Sequence, residues 1–426
     1  MGLIKKLKSR SRRSSSSPLN PSASTSTRVL FVSHEATRTG APKIILNVLK
    51  HFHAQTDVKL QSILHSGGFL AEEFAQFSEV DCLNIPREPS AELTKRVRRI
   101  CTRHKDQPPN IAICNSMESR FIANELHQLG IPILFLVHEL PSSYEVADYQ
   151  QVYDISNRII FPVNTVRDAA DKKASLPRDI CSVIPQGLLN PSFGSGIDQN
   201  AVRQQIRSEL NIPKDAFIVL GCGTLDLRKG IDHYCGVARS TLNQNNPKNR
   251  PVHFVWLGEG DRWAHTPYHY TMLDVEKAGI FNHVHFIGER KDVQPWFVGS
   301  DVFILTSRVD PFPCVVHEAM ASGLPVITFE NAGGAKEALQ DGAGVTVPYA
   351  DYKAMSDAIC LIKNSPAIAD GIRSTAKKRV HQQYRFDNYA GQLLQICEQI
   401  IRRRISLNSD SSSDNSPHTI PWRRAA

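Results

Sequence analysis

Short apolar runs alternate with amphipathic stretches along most of this chain, and the pattern begins abruptly. RVLFVS (28–33) is a compact apolar run of the kind that forms a buried strand. TGAPKIILNVLKHF follows with helical spacing, and Pro42 falls near its first turn, where a missing N–H costs nothing. Further strands are predicted at QSIL, NIAICNS, ILFLVHE and RIIFPVN. Helical stretches lie between them, among them AELTKRVRRICTRH and SRFIANELHQL. Strand–helix alternation predicts an α/β fold with a parallel, doubly wound sheet.

The alternation pauses at QGLLNPSFGSGIDQNAV (186–202), whose Gly, Pro and Asn content suits a linker. It then restarts with strands at AFIVLGCGT, HFVWLGEG, HVHFIGE, DVFILTS, PVITF and GVTVP. Two facing Rossmann-like domains are therefore predicted, over 28–190 and 191–384, each of ordinary domain size. RFDNYAGQLLQICEQIIRR predicts a terminal amphipathic helix over 385–404 that crosses back towards the first domain. Residues 1–27, rich in basic residues and serine, and the low-complexity tail 405–426 are predicted to be disordered.

Charge changes the picture once it is located. The chain of 426 residues carries a formal net charge of +8. Six of the cations lie in residues 1–13, and a net three more lie in 402–426, so the body is near neutral. That distribution argues against nucleic-acid binding. The segment MGLIKKLKSRSRR suits peripheral contact with an anionic membrane, at about 1 kcal/mol per basic residue near the surface. The cluster KRVRRICTRHK (95–105) would add to such a face, although a solvated tail is an equal reading. Nine cysteines without a CxxC pair or zinc-type spacing predict reduced thiols and no metal site. No apolar stretch approaches the roughly 20 residues that span a bilayer, and the N-terminus lacks a signal-peptide core. The expected location is the cytoplasm, with the inner face of the membrane as an expected point of contact.

Chemistry concentrates at the strand ends. DPFPCVVHEAMASGLPVI (310–327) places Asp310 and Glu318 eight positions apart, around a Pro-Phe-Pro turn before an apolar helix. A helix starting near Pro313 would direct the free N–H groups of Cys314 and Val315 into a crevice, where they attract phosphate. Glu318, about a turn inside, could accept hydrogen bonds from sugar hydroxyls; the alternative is that Asp310 caps the helix and Glu318 pairs with a base. GCGTLDLRKG (221–230) puts Arg228 and Lys229 in the turn before a helix, where two cations can neutralise a diphosphate or simply be solvated. ENAGGAKEAL (330–339) holds Gly333 and Gly334 where backbone can approach a ligand, or make a plain turn. TRTGAP (37–42) is a strand-to-helix loop without the dinucleotide fingerprint. ILFLVHE sets His138 and Glu139 at a strand end, where a lone histidine is more often structural. All five segments fall at strand carboxyl ends, the ligand-binding rim of open α/β sheets.

SRVDPFPCVVHEAMASGLPVI, with GTLDLRKG, ENAGGAKEAL and VIPQG, resembles the retaining glycosyltransferases of family 4, the group 1 glycosyl transferases of GT-B fold. The likeness runs over about residues 28–400. It implies a nucleotide diphosphate-sugar as donor substrate, a glycan or lipid-linked acceptor, no cofactor and no metal. It implies that Glu318 holds the donor ribose, that Asp310 touches the transferred sugar and that Lys229 grips the diphosphate. His138 would line the sugar pocket, and Gly40 would lie in the loop closing near the donor phosphate. Phe312, Cys314 and Val315 of the turn, and Gly288 of the loop FIGERKD, complete the implied donor pocket. Two positions depart from the family pattern: Asp310 replaces the usual Glu, and Gly223-Thr224 stands where an arginine is usual, leaving Arg228 as its substitute. The implied activity is retaining, metal-independent sugar transfer in cell-surface polysaccharide or glycolipid synthesis. The alternatives are a non-catalytic scaffold of the same fold, or a sugar-nucleotide epimerase or phosphorylase.

Overall fold

The computed structural model of the chain describes residues 27–104, 107–244 and 250–409. The expectations for the basic N-terminal segment and for most of the Ser-rich tail lie outside the described residues. Seven strands build a first sheet: β1 (Arg28–Ser33), β2 (Lys59–Leu64), β3 (Glu79–Cys82), β4 (Ile111–Asn115), β5 (Ile133–Leu136), β6 (Arg158–Phe161) and β7 (Cys181–Val183). Six build a second: β8 (Phe217–Cys222), β9 (Val252–Leu257), β10 (Val284–Phe286), β11 (Val302–Leu305), β12 (Val326–Phe329) and β13 (Val345–Val347). The orders are β3-β2-β1-β4-β5-β6-β7 and β10-β9-β8-β11-β12-β13. Every pairing between these strands is parallel.

Central strands such as β1 and β9 are buried at every position, because helices cover both faces of a parallel sheet. Strand order reverses beside the first strand of each sheet, between β1 and β4 and between β8 and β11. At such a switch point the flanking connections leave to opposite faces and open a crevice at the strand carboxyl ends.

The chain crosses between the lobes twice at one place. Leu188 N donates to Tyr384 O at 2.8 Å, and a Cβ on Gly187 would lie 2.3 Å from Phe386 N. Only glycine admits that approach. The terminal helix Phe386–Ser409 then lays Leu393, Leu394, Cys397 and Ile401 into one core with Ile44, Leu49 and Phe52 of the helix Gly40–Gln55. This helix continues to Ser409, past the expected bound at 404. The strands β3 and β7 were not predicted: EVDC and CSV are short edge strands without an apolar run. All nine cysteines are unpaired thiols. No helix among the described residues is long and apolar enough to cross a membrane.

Candidate functional site

The site begins at the switch point of the second sheet. After β8 the chain turns at Gly223, whose φ of 155° suits glycine, and the stem of Lys229 lies against it, with Cγ and Cδ 3.1 Å from where a Cβ would stand. Lys229 N donates to Asp226 Oδ1 at 2.7 Å, which fixes the turn before the helix Ile231–Gln244. The loop after β11 is bound to this turn. Arg308 N donates to Arg228 O at 2.8 Å, and its guanidinium forks onto Asp232 at 2.8 and 2.6 Å. The consequence is a close ion pair: Lys229 Nζ lies 2.6 Å from Asp310 Oδ2. Ser307 Oγ donates to the same oxygen at 3.1 Å.

Asp310 is held from the other side as well. Its N donates to Ala332 O at 2.8 Å, and a Cβ on Gly333 would stand 1.8 Å from Asp310 O. The Gly333-Gly334 turn thus serves close packing of backbone on backbone. The helix Cys314–Ala321 follows, with Pro313 in an extended conformation (ψ 123°) as its N-cap. The expectation that Pro313 occupies the first helical turn is corrected by one residue. Pro313 supplies no side-chain cap, so the free N–H groups of the first turn stay available to a ligand.

Glu318, one turn into this helix, has no hydrogen-bond or ion-pair partner for its carboxylate among the described residues. Burial raises its pKa above the ordinary value, opposed by Lys43 of the other lobe. The same groups meet around Cys314: burial raises its thiol to about 12, helped by Glu318 and opposed by Lys43, with Asp310 and Lys229 also acting on it. Gly40 faces this point from the first lobe, where a Cβ would lie 4.0 Å from Cys314 Sγ.

On the first lobe, His138 Nε2 meets Asn115 Oδ1 at 2.8 Å, and Asn115 Nδ2 donates to Ala41 O at 3.1 Å. Burial lowers the His138 pKa to about 4, so the ring is neutral at pH 7. Gln186 lies beside the ring and donates from Nε2 to Phe312 O at 3.0 Å, joining the histidine to the Pro-Phe-Pro turn.

The structure therefore brings Lys229, Asp310, Glu318, Cys314 and Gly40 together, with His138 on the facing wall. It does not bring in Arg228, which is exposed and, among the described residues, donates to Val309 O at 3.5 Å. The ring of Phe312 is core: it is 5% exposed and meets the His317 ring edge-on at 4.7 Å. Val315 packs partly buried against the same core. Gly288, with φ 77°, stands beyond β10, where its carbonyl accepts from Gly258 N at 3.0 Å. Sequence reasoning missed Lys43, Ser307, Asn115 and Gln186. Lys43 left a signal, since a cation in the first turn of a helix opposes the helix dipole and calls for a reason.

The family model for glycosyl transferases group 1 matches residues 216–364, which include Lys229, Asp310 and Glu318. This segment belongs to the group 1 glycosyl transferases. The O-antigen biosynthesis glycosyltransferase WclY of Escherichia coli is 26% identical to the chain over 200 residues, 45% of this chain and 48% of WclY. The chain thus spans about half the length of that relative. The lipopolysaccharide core biosynthesis mannosyltransferase LpsB of Rhizobium meliloti is 31% identical over 111 residues, 24% of this chain and 31% of LpsB. Among solved structures, Anabaena HepE in complex with UDP-glucose superposes with a TM-score of 0.74 at 17% identity, covering 87% of this chain and 99% of that one. Sucrose-phosphate synthase of Thermosynechococcus elongatus gives 0.73 at 19% identity, covering 88% of this chain and 100% of that one. The group 1 glycosyl transferase segment thus sits in a chain of GT-B fold.

Proposed function

We propose that this protein is a glycosyltransferase that moves a sugar from a nucleotide diphosphate-sugar to an acceptor hydroxyl, in cell-surface polysaccharide or glycolipid synthesis. The observation that carries the reading is Glu318: a half-buried carboxylate without a hydrogen-bond or ion-pair partner among the described residues, one turn above a free helix start and near the Lys229–Asp310 pair. Burial disfavours its charged form, and the hydroxyls of a bound donor would supply the hydrogen bonds it lacks. The relatives' names, O-antigen and lipopolysaccharide core biosynthesis, support the substrate class.

In this reading Glu318 accepts hydrogen bonds from the donor ribose, and the N–H groups at Cys314 and Val315 face the diphosphate. Lys229 supplies the cation, held in place by Asp310 and Gly223. The glycosidic bond to phosphate breaks as the acceptor oxygen bonds to the anomeric carbon, and negative charge grows on the leaving diphosphate. Fixed donors aimed at that charge lower the barrier without reorganising. The acceptor proton passes to the leaving phosphate on the face where it departs, so configuration is retained, and Lys229 with the helix start carries charge without a metal. In the same reading Asp310 touches the transferred sugar and neutral His138 lines its pocket.

The test is a nucleotide-release screen over common sugar donors, with calorimetric titration of nucleotide diphosphates beside it. One donor should turn over. Lys229→Ala and Glu318→Ala should each lower kcat/KM by about tenfold or more, since hydrogen bonds to charged groups contribute about 1.5–3 kcal/mol. Nucleotide binding without turnover of any donor would overturn the catalytic reading and leave a sugar-nucleotide-binding scaffold.

A further inference from the structure

Away from the cleft, at the amino ends of β5, β6 and β7, a cavity of about 620 Å³ lies against the last turns of the terminal helix. Its walls are of two kinds. Ile131, Ile180 and Ile400 are apolar, whereas Arg158, Arg403 and Arg404 bring three guanidinium groups. Asp179 is the one carboxylate among the lining residues. Arg158 donates to the Asp179 carbonyl, which leaves that guanidinium fixed in the wall. Arg404 reaches over the turn before β5, with Nη2 3.8 Å from where a Cβ on Gly130 would stand. Neither Arg403 nor Arg404 has an ion-pair partner among the described residues.

Three like charges around one concavity repel one another, and among the lining residues a single acid, Asp179, offsets that. The planar fork of arginine matches the oxygens of a phosphate, and the volume lies within the range of small-ligand sites. The apolar wall then selects for a ligand with a non-polar portion beside its anionic head. The donor cleft cannot be the same site, because it lies at the opposite, carboxyl ends of the strands.

We propose that this cavity binds a phosphate-bearing ligand, by contacts from Arg158, Arg403 and Arg404 to the phosphate. The source is either a small phosphorylated molecule or the headgroup of an anionic lipid. Either one would fasten the end of the terminal helix onto the first sheet.

Two probes test this on the full chain. Inorganic pyrophosphate is titrated calorimetrically into the Lys229→Ala protein, so that the donor cleft does not dominate. Sedimentation is measured with vesicles of phosphatidylcholine and phosphatidylglycerol in equal parts, against phosphatidylcholine alone. Arg403→Glu/Arg404→Glu, at exposed positions, should weaken one of the two by about tenfold or more, with the circular dichroism unchanged. Gln399→Glu, which sets a carboxylate into the same wall, should act in the same direction and covers a folding failure of the double variant. Loss of pyrophosphate binding alone assigns a small phosphorylated ligand; loss of vesicle binding alone assigns a lipid headgroup. If charge reversal leaves both probes unaltered, the cavity is not a phosphate site.

Discussion

Glu318 shows how a single residue can oppose the stability of the fold that carries it. Its folded-state pKa is raised by burial above the ordinary 4.5. Its contribution to stability is therefore complete below 4.5 and is lost as pH rises through the folded value. Glu318→Gln should raise the thermal midpoint of the ligand-free protein at neutral pH and flatten its pH dependence just above 4.5, while lowering donor affinity. Melting curves across that range, beside a donor titration, check both halves; a variant less stable at neutral pH would refute the assignment of an unpartnered carboxylate. The convergence of Asp310, Lys229 and Glu318 was legible in the sequence because each stands in or just beyond a loop leaving an apolar run, where open sheets bind ligands. Arg228 was not resolved that way. Adjacent residues in a turn point in different directions, and spacing alone does not say which of Arg228 and Lys229 enters the cleft. Lys43 was hidden for another reason: Glu318, whose carboxylate feels its charge across the gap, is 275 positions away, beyond any local pattern.

At the scale of elements, the legible parts were those with a long apolar run, and the missed ones lay at edges. β7 reads CSV and β3 reads EVDC, each paired on one side only. An edge strand with a half-solvated face needs no apolar run, so nothing in its composition separates it from a loop. The Gly333-Gly334 turn was visible as a place of close approach, but what approaches it was not. The structure answers that it is Asp310, paired with Gly333 as an isolated parallel bridge. Gly333 has φ 144°, and an added Cβ would stand 1.8 Å from Asp310 O. Gly333→Ala should thus cost about 1–3 kcal/mol in backbone strain and carry Asp310 away from Lys229. A urea midpoint lowered together with kcat, while nucleotide diphosphate binding is mostly kept, is the expected pattern. An alanine variant with normal turnover would show that the Asp310–Lys229 contact is not needed for the chemistry.

The whole molecule depends on contacts that link the lobes, and these are the least visible from sequence. The alternation of strands and helices was enough for two parallel sheets, yet it carries no information about how they meet. Glu337, in the short helix Ala335–Ala338 of the second lobe, reaches the start of the helix Asn164–Lys173 in the first. Its carboxylate accepts from Asn164 N and Nδ2 at 3.1 Å and from Thr165 N and Oγ1 at 2.6 Å. That helix begins after Val163, which has no side-chain cap to offer, so the cap comes from the opposite lobe. An anion at a helix start satisfies free N–H groups and the positive end of the dipole together. The closure it holds is the one that sets Gly40 beside Cys314 and Lys43 near Glu318. Glu337→Ala should cost about 0.5–2 kcal/mol, in the range of a lost N-cap, and should loosen the lobes rather than unfold either. Hydrogen exchange is the decisive measurement: the amides of Asn164 and Thr165 should exchange faster, while those of β6 and β12 keep their protection. Donor turnover should fall as donor hydrolysis by water rises, because a cleft that closes less often excludes water less well. Unchanged exchange at Asn164 and Thr165 would mean that the cap is dispensable and that the lobes are held chiefly by the crossover at Gly187.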